Sequence, residues 1–263
     1  MTTDRVKGGY WEQPPSRALA TAVDAFWCFT VPATPLEPGR PAFHRVLPDG
    51  CTDLIVHFPD ASAIGRGGAP RLSLVGPMER FALVPLRPGE VSLGVRLHPG
   101  WALSLLGVSP RELRGLNVPA EECDRAFRRL SQRLETSTSL AQAMSLLTEE
   151  FSHRGAVATH APSPRAARAL QALRATSGQV RMSVLARALG VSERTLHRDV
   201  LDEAGVAPKF LARVLRFQRA LSDLRAPGAD LSDVAVVRGY ADQAHLTREF
   251  RELAGVPPTG LVG

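Results

Sequence analysis

The sequence predicts an α+β protein of two domains: an N-terminal β-rich barrel or sandwich with trailing helices, and a C-terminal all-α domain with two helix-turn-helix units. Three observations lead there. Residues 184–208, VLARALGVSERTLHRDVLDEAGVAP, recur as residues 233–258, DVAVVRGYADQAHLTREFRELAGVPP. The first hundred residues are instead cut by proline and glycine into short β-prone runs. From about Ser109 the texture turns helical, with amphipathic spacing of apolar side chains.

Each repeat carries the punctuation of a helix-turn-helix: a short apolar helix, a glycine turn, a capping residue and a second helix. Gly190 aligns with Gly239, and Ala186 with Ala235, at an offset of 49. After one inserted residue the offset is 50, pairing Ser192 with Asp242, Leu196 with Leu246, Arg198 with Arg248, Gly205 with Gly255 and Pro208 with Pro258. Ser192 and Asp242 are of the type that accepts from the free N–H groups of a helix start. A helix turns about 100° per residue. On that wheel Leu196 and Val200 share one face of the first copy's second helix, with Arg194 and Arg198 opposite and Thr195 and His197 flanking. In the second copy Leu246, Phe250 and Leu253 face inward. Ala244, Arg248 and Arg251 lie opposite, flanked by His245 and Thr247, with Gln243 at the helix start. Arginine can read guanine bidentately in a major groove, and glutamine can read adenine. Ordinary amphipathic helices with solvated basic faces would give the same wheel in one copy. Repetition of the glycine and proline punctuation argues instead for two reading units in one chain.

Between the copies, Pro208 is placed as an N1 proline. Phe210, Val214, Phe217, Leu221 and Leu224 then make one apolar stripe on a helix expected to run to about Ala226. Lys209, Arg213 and Arg216 form a separate basic stripe, either a phosphate-contacting edge or a plain solvated face.

The segment from about Pro164 to Gly263 resembles the DNA-binding domain of AraC/XylS-type transcription regulators. LARALGVSERTLHR, GVAPKFLARVLRFQRAL and the second copy carry the resemblance, and GYADQAHLTREF is close to the family's signature. It implies seven helices, with two helix-turn-helix units joined by one long helix. It also implies sequence-specific binding of double-stranded DNA in activation or repression of transcription, with RNA polymerase as a candidate partner. Carried over position by position, it puts Arg194, His197 and Arg198 of the first unit, and Gln243, Thr247 and Arg248 of the second, at the bases. Lys209 joins them as a candidate phosphate contact. Two positions depart from the pattern: Val200 stands where the family often has Phe, and Asp199 puts an acid beside the reading face.

In the N-terminal part, turn residues recur at Pro32, Pro35, Pro38, Gly39, Pro48, Gly50, Gly65, Gly76, Pro77, Pro85, Pro88, Gly89 and Pro99. Between them lie AFWCFTV, TDLIVHF, RLSLVG, FALVPL and VSLGVRL, each read as a strand. EECDRAFRRLSQRLE and SLAQAMSLLTEEF read as helices, and residues 154–164, RGAVATHAPSP, have linker composition. The chain is therefore divided into a sensor or oligomerisation domain, residues 1–155, and a DNA-binding domain, residues 160–263. LPDGCTDLIVHF and GVRLHPGWALSLLGV resemble the cupin-like sensor region that precedes this DNA-binding domain in some AraC-type regulators. That resemblance implies a small-molecule effector and a homodimer formed through the following helices. Phe127, Leu130 and Leu134 form a stripe there that pairs with a second copy or packs on the β domain. Trp11, Phe26, Trp27, Phe29 and Trp101 either line an apolar pocket or are simply core.

Composition bounds the remaining possibilities. Residues 160–263 hold 15 Lys+Arg against 10 Asp+Glu, so nearly all of the net charge of +6 falls in the domain expected to meet DNA. Three cysteines at wide spacings, Cys28, Cys51 and Cys123, suggest no disulfide scaffold and fit a reducing cytoplasm. The chain shows no leader pattern and no apolar run long enough to span a bilayer, so membrane insertion is not expected. His44, Asp49, Cys51, Asp53, His57 and His98 could be read as metal ligands, but no close His-x-His or Cys-x-x-Cys spacing supports it, and neither metal nor cofactor is expected. No P-loop, G-x-S-x-G or H-E-x-x-H occurs, so an enzyme is not expected. The rival readings are a repair-type regulator that accepts an alkyl group on Cys51 and a purely architectural DNA binder.

Overall fold

The computed structural model describes residues 9–33 and 42–262; Pro35, Pro38 and Gly39 lie outside them. In chain order the strands are β1 (Gly9–Gln13), β2 (Val23–Thr30), β3 (Phe43–Val46), β4 (Thr52–Phe58), β5 (Arg71–Val75), β6 (Ala82–Pro85), β7 (Val91–Leu97) and β8 (Asn117–Pro119). The first helices are α1 (Ala102–Leu106), α2 (Ala120–Cys123), α3 (Arg125–Glu135) and α4 (Leu140–Val157). All five β-prone runs fall on strands. The short β1, β3 and β8 carry no run of alternating apolar residues and were not legible.

The strands do not close a barrel. Six form one antiparallel sheet in the order β1-β2-β7-β4-β5-β8, and β3 and β6 pair separately as a two-stranded sheet. Strand β4 alternates strictly, sending Thr52, Leu54, Val56 and Phe58 to one side and Asp53, Ile55 and His57 to the other. The central β7 is buried along its whole length because both of its faces are covered. On one side Phe26, Leu54, Phe58, Leu93 and Leu97 join Phe127, Leu130, Leu134, Leu147 and Phe151 of α3 and α4 in the main core. The Phe127–Leu130–Leu134 stripe is therefore consumed inside the domain, at 0% exposure for each residue, and is not a dimer seam. On the other side Trp27 and Phe29 face the β3–β6 pair. Trp27 lies so close over Gly94 that a Cβ there would stand 2.1 Å from the indole.

Helix α4 runs to Val157, taking in the first four residues of the segment read as linker. Arg154 explains the extension: it bonds Glu150, Asp124 and the Leu105 carbonyl, and lies over the Phe127 ring. The expected helix at Pro164 is α5 (Pro164–Ala175). It is followed by α6 (Met182–Ala188), α7 (Glu193–Ala204), α8 (Pro208–Leu224), α9 (Leu231–Val237), α10 (Gln243–Ala254) and α11 (Thr259–Val262), which makes the seven helices that the resemblance implies. No helix among the described residues is long and apolar enough to cross a membrane.

The two parts of the chain share packing. Leu47 and Phe81, from the β-rich part, enter the core of the second helix-turn-helix unit beside Phe217, Phe250 and Leu253. Gln218 on α8 donates to the Pro48 carbonyl at 2.6 Å. Arg174 on α5 meets His98 at 3.0 Å, and the other ring nitrogen of His98 faces Asp24 at 3.4 Å. Burial and the positive charge of Arg174 push His98 down to about 4.

Phe250 is fully buried against Phe217, with ring centroids 4.7 Å apart, so Phe250→Ala should destabilise the protein by about 3–5 kcal/mol in urea unfolding. Val200→Phe should cost about 1–3 kcal/mol, because the first unit's core is already closed around valine. His98 is neutral when folded, so the stability it contributes is complete above its ordinary pKa of 6.5 and is lost as pH falls towards 4. Asp53, raised to about 7 by burial, works in the opposite sense over part of that window. The clean readout is a comparison: as pH falls below 6.5, the melting temperature of the wild type should fall relative to His98→Gln.

Candidate nucleic-acid interface

Each unit is built by the same local chemistry. Gly190 and Gly239 make the turns at φ of 68° and 73°, a left-handed conformation that only glycine adopts without strain. Ser192 then accepts from the Thr195 amide at 3.1 Å, and Asp242 from the His245 amide at 2.6 Å. Gly205 and Gly255 end α7 and α10, both left-handed. Leu196 and Val200, and likewise Leu246, Phe250 and Leu253, point into their cores, as the wheels require.

The outward faces also agree with the sequence reading. Arg194, His197 and Arg198 are exposed on α7, Gln243 and Arg248 are exposed on α10, and Thr247 is half-buried. Gln243 accepts from Ser232 at 3.2 Å, which ties the start of α10 to α9. Lys209 is exposed at the start of α8. The other two members of its stripe are not. Arg213 grips the buried Glu249 through Nε and Nη2 at 3.0–3.2 Å and reaches Glu252 at 2.8 Å. Arg216 approaches Glu249 at 3.7 Å and lies over the Tyr240 ring. These two guanidiniums orient α10 on α8. His245 is likewise used structurally, edge-on to Tyr240 and accepting from the Ala241 amide.

Glu249 was missed as a structural residue, although the repeat itself held the signal. The offset of 50 that pairs Leu196 with Leu246 also pairs Asp199 with Glu249. Both acids are held by an arginine of the helix that opens their unit: Asp199 by Arg165 of α5, and Glu249 by Arg213 of α8. Asp199 also meets Arg198 at 3.6 Å, and its side chain is only 10% exposed. It is drawn towards α5 by Arg165 and, through its contact with Arg198, lies beside the reading face as the sequence suggested. Arg165 holds its carboxyl below the usual carboxylate range. The residues considered as metal ligands fall into two groups: Asp49, Cys51, Asp53 and His98 lie around Arg96, and His44 and His57 lie at a separate space under the β3–β6 pair. His57 meets Ser92, Ser73 and Glu90, while Asp49 and Asp53 flank the buried Arg96 together with Glu12 and Asp24.

This geometry defines a double helix-turn-helix domain. Residues 185–262 match a family described as a helix-turn-helix domain, and residues 12–119 match a domain of unknown function, DUF6597. Over 73 residues the chain is 33% identical to the HTH-type transcriptional activator RhaS of Escherichia coli, a match covering 28% of this chain and 26% of RhaS. The chain thus spans about a quarter of the length of the curated relatives it matches. The C-terminal domain of AraT, a response regulator from Geobacillus stearothermophilus, is 24% identical, with 38% of this chain and 85% of that one covered and a TM-score of 0.36. Apo ToxT from Vibrio cholerae is 13% identical, with 97% and 96% covered and a TM-score of 0.45. The C-terminal part of this chain is an AraC-type helix-turn-helix domain.

Arg248 projects outward opposite Leu246 and Phe250, so Arg248→Ala should weaken a specific site by about 1–3 kcal/mol and relax preference at one base pair. Lys209→Ala should instead weaken all sequences alike and flatten the salt slope by about one unit. Competition binding against randomised duplexes at several salt concentrations separates the two.

Proposed function

We propose that this protein is a sequence-specific DNA-binding transcription regulator, in which residues 160–263 read DNA and residues 1–155 sense a small-molecule effector. The observation that carries this reading is the repetition, in one chain, of a capped and outwardly basic helix on a common strut, α8. Arg194, His197 and Arg198 contact bases in one major-groove segment, and Gln243, Thr247 and Arg248 in the next. Lys209 contacts phosphate. RhaS is named a transcriptional activator, and regulation of transcription is the role extended from it to this chain. Self-association, if the protein uses it, needs a surface other than the buried Phe127–Leu134 stripe.

The alkyl-accepting alternative finds no support at Cys51. Burial and the neighbouring carboxylates of Asp49, Asp24 and Asp53 push its thiol well above the ordinary value, the opposite of an activated thiolate.

Footprinting of the full-length protein on a selected site should show two protected segments on one face of the duplex, about one helical turn or roughly 10 bp apart. A single protected segment per protomer would count against two reading units.

A further inference from the structure

The two recognition helices carry different residues at the same starting position. The offset of 50 that pairs Arg198 with Arg248 also pairs Glu193 with Gln243, the first residues of α7 and α10. Each follows its capping residue, Ser192 or Asp242, and each is exposed. In the second unit Ser232 of α9 donates to Gln243 at 3.2 Å, which holds the amide where α9 and α10 meet. At the offset of 49, Ser183 of α6 stands where Ser232 does, and it is exposed as well. The first unit therefore repeats the same pair of positions with a carboxylate in place of the amide.

Glu193 also stands apart from the other acids of the recognition helices. On α7, Asp199 meets Arg165, Asp202 meets Arg111 at 3.2 Å, and Glu203 accepts from the Ser163 amide at 3.0 Å. On α10, Glu249 and Glu252 share Arg213. Glu193 forms no ion pair within 4 Å and no side-chain hydrogen bond among the described residues. An acid on a surface that meets phosphates is repelled unless it finds a donor there. In the major groove the donors are the N4 amino group of cytosine and the N6 amino group of adenine. The adenine amino group lies beside N7, an acceptor that repels a carboxylate. Glutamine answers both adenine groups because its amide donates and accepts, whereas a carboxylate only accepts.

We propose that Glu193 is a base-reading residue and that it selects a cytosine through the N4 amino group. The segment read by α7 then carries cytosine at the place where the segment read by α10 carries the adenine met by Gln243. In the same comparison Arg194 replaces Ala244, and arginine reads guanine, so the first segment is the richer in G·C pairs. The proposal rests on the reading of this chain as a sequence-specific regulator and gives its operator a composition. A carboxylate in a first turn also suits the helix dipole, but that role alone moves stability and leaves base preference where it is.

The test enriches sites from randomised duplexes with the full-length wild type, Glu193→Gln and Gln243→Glu, then measures equilibrium affinities for single-base variants of the wild-type site. Arg248→Ala, which relaxes the second segment, tells the two segments apart. The wild type should prefer cytosine to adenine at one position of the first segment by about tenfold. Glu193→Gln should reverse that preference. Gln243→Glu should make the converse change, from adenine to cytosine, at the matching position of the second segment. A Glu193→Gln protein that binds every sequence more tightly by the same factor, with all base preferences unchanged, overturns the proposal and leaves Glu193 a matter of charge alone. A first segment in which no position responds to Glu193→Gln also overturns it. In both of those cases an enriched two-segment site leaves the DNA-binding reading standing, whereas failure to enrich any sequence would sink both.

Discussion

Helix α8 belongs to two hydrophobic cores at once, and the arrangement of the C-terminal domain depends on that. Leu211 and Ala212 pack with α5, α6 and α7, whereas Val214, Phe217 and Leu221 pack with α9 and α10, and Phe210 touches both groups. A rigid helix rises about 1.5 Å per residue, so the two units cannot move apart without opening one core. Arg213 adds an orientational constraint. Its fork on Glu249 fixes the rotation of α10 about its own axis, and a buried carboxylate stripped of that partner would be strongly destabilising. Gln179 adds a bridge by donating to the Val237 carbonyl at 2.8 Å, which joins the turn after α5 to the end of α9.

The β-rich part is built into this frame. Its sheet carries a second ionic centre, where Arg96 is surrounded by Glu12, Asp24, Asp49 and Asp53, and Asp53 also accepts from the Trp27 indole at 2.9 Å. Four carboxylates around one guanidinium carry excess negative charge, and burial raises Asp53 to about 7 in response. Leu47 and Phe81 complete the core of the second unit. The core of residues 160–263 is therefore completed by two apolar side chains from outside that range.

Legibility in the sequence tracked periodicity and punctuation. The two recognition helices could be read because glycine turns, caps and apolar faces repeat at a fixed offset, and the wheels placed Val200, Leu246 and Phe250 correctly. Strands β2, β4, β5, β6 and β7 were legible from their β-prone runs between turn residues. What escaped depended on side chains reaching between elements that are distant in sequence. Arg154 carries α4 past its expected end by contacts to Leu105 and Asp124. Arg213 and Arg216 looked like a solvent-facing stripe because their partner, Glu249, lies on another helix. Phe127, Leu130 and Leu134 form a stripe whose pattern is the same whether it packs on a sheet or on a second copy. Only the fold decides between those uses, and it gives the stripe to the sheet.

The central claim is that α8 holds the two reading helices in one fixed relation. Inserting 5 bp between the two contacted segments of a selected site rotates one by about half a turn relative to the other. Equilibrium binding of the full-length protein to the original and expanded sites tests that claim directly. A rigid strut predicts that affinity for the expanded site falls to that of a site with one segment destroyed. Affinity unchanged by the insertion would show that the two units move independently and would contradict the account.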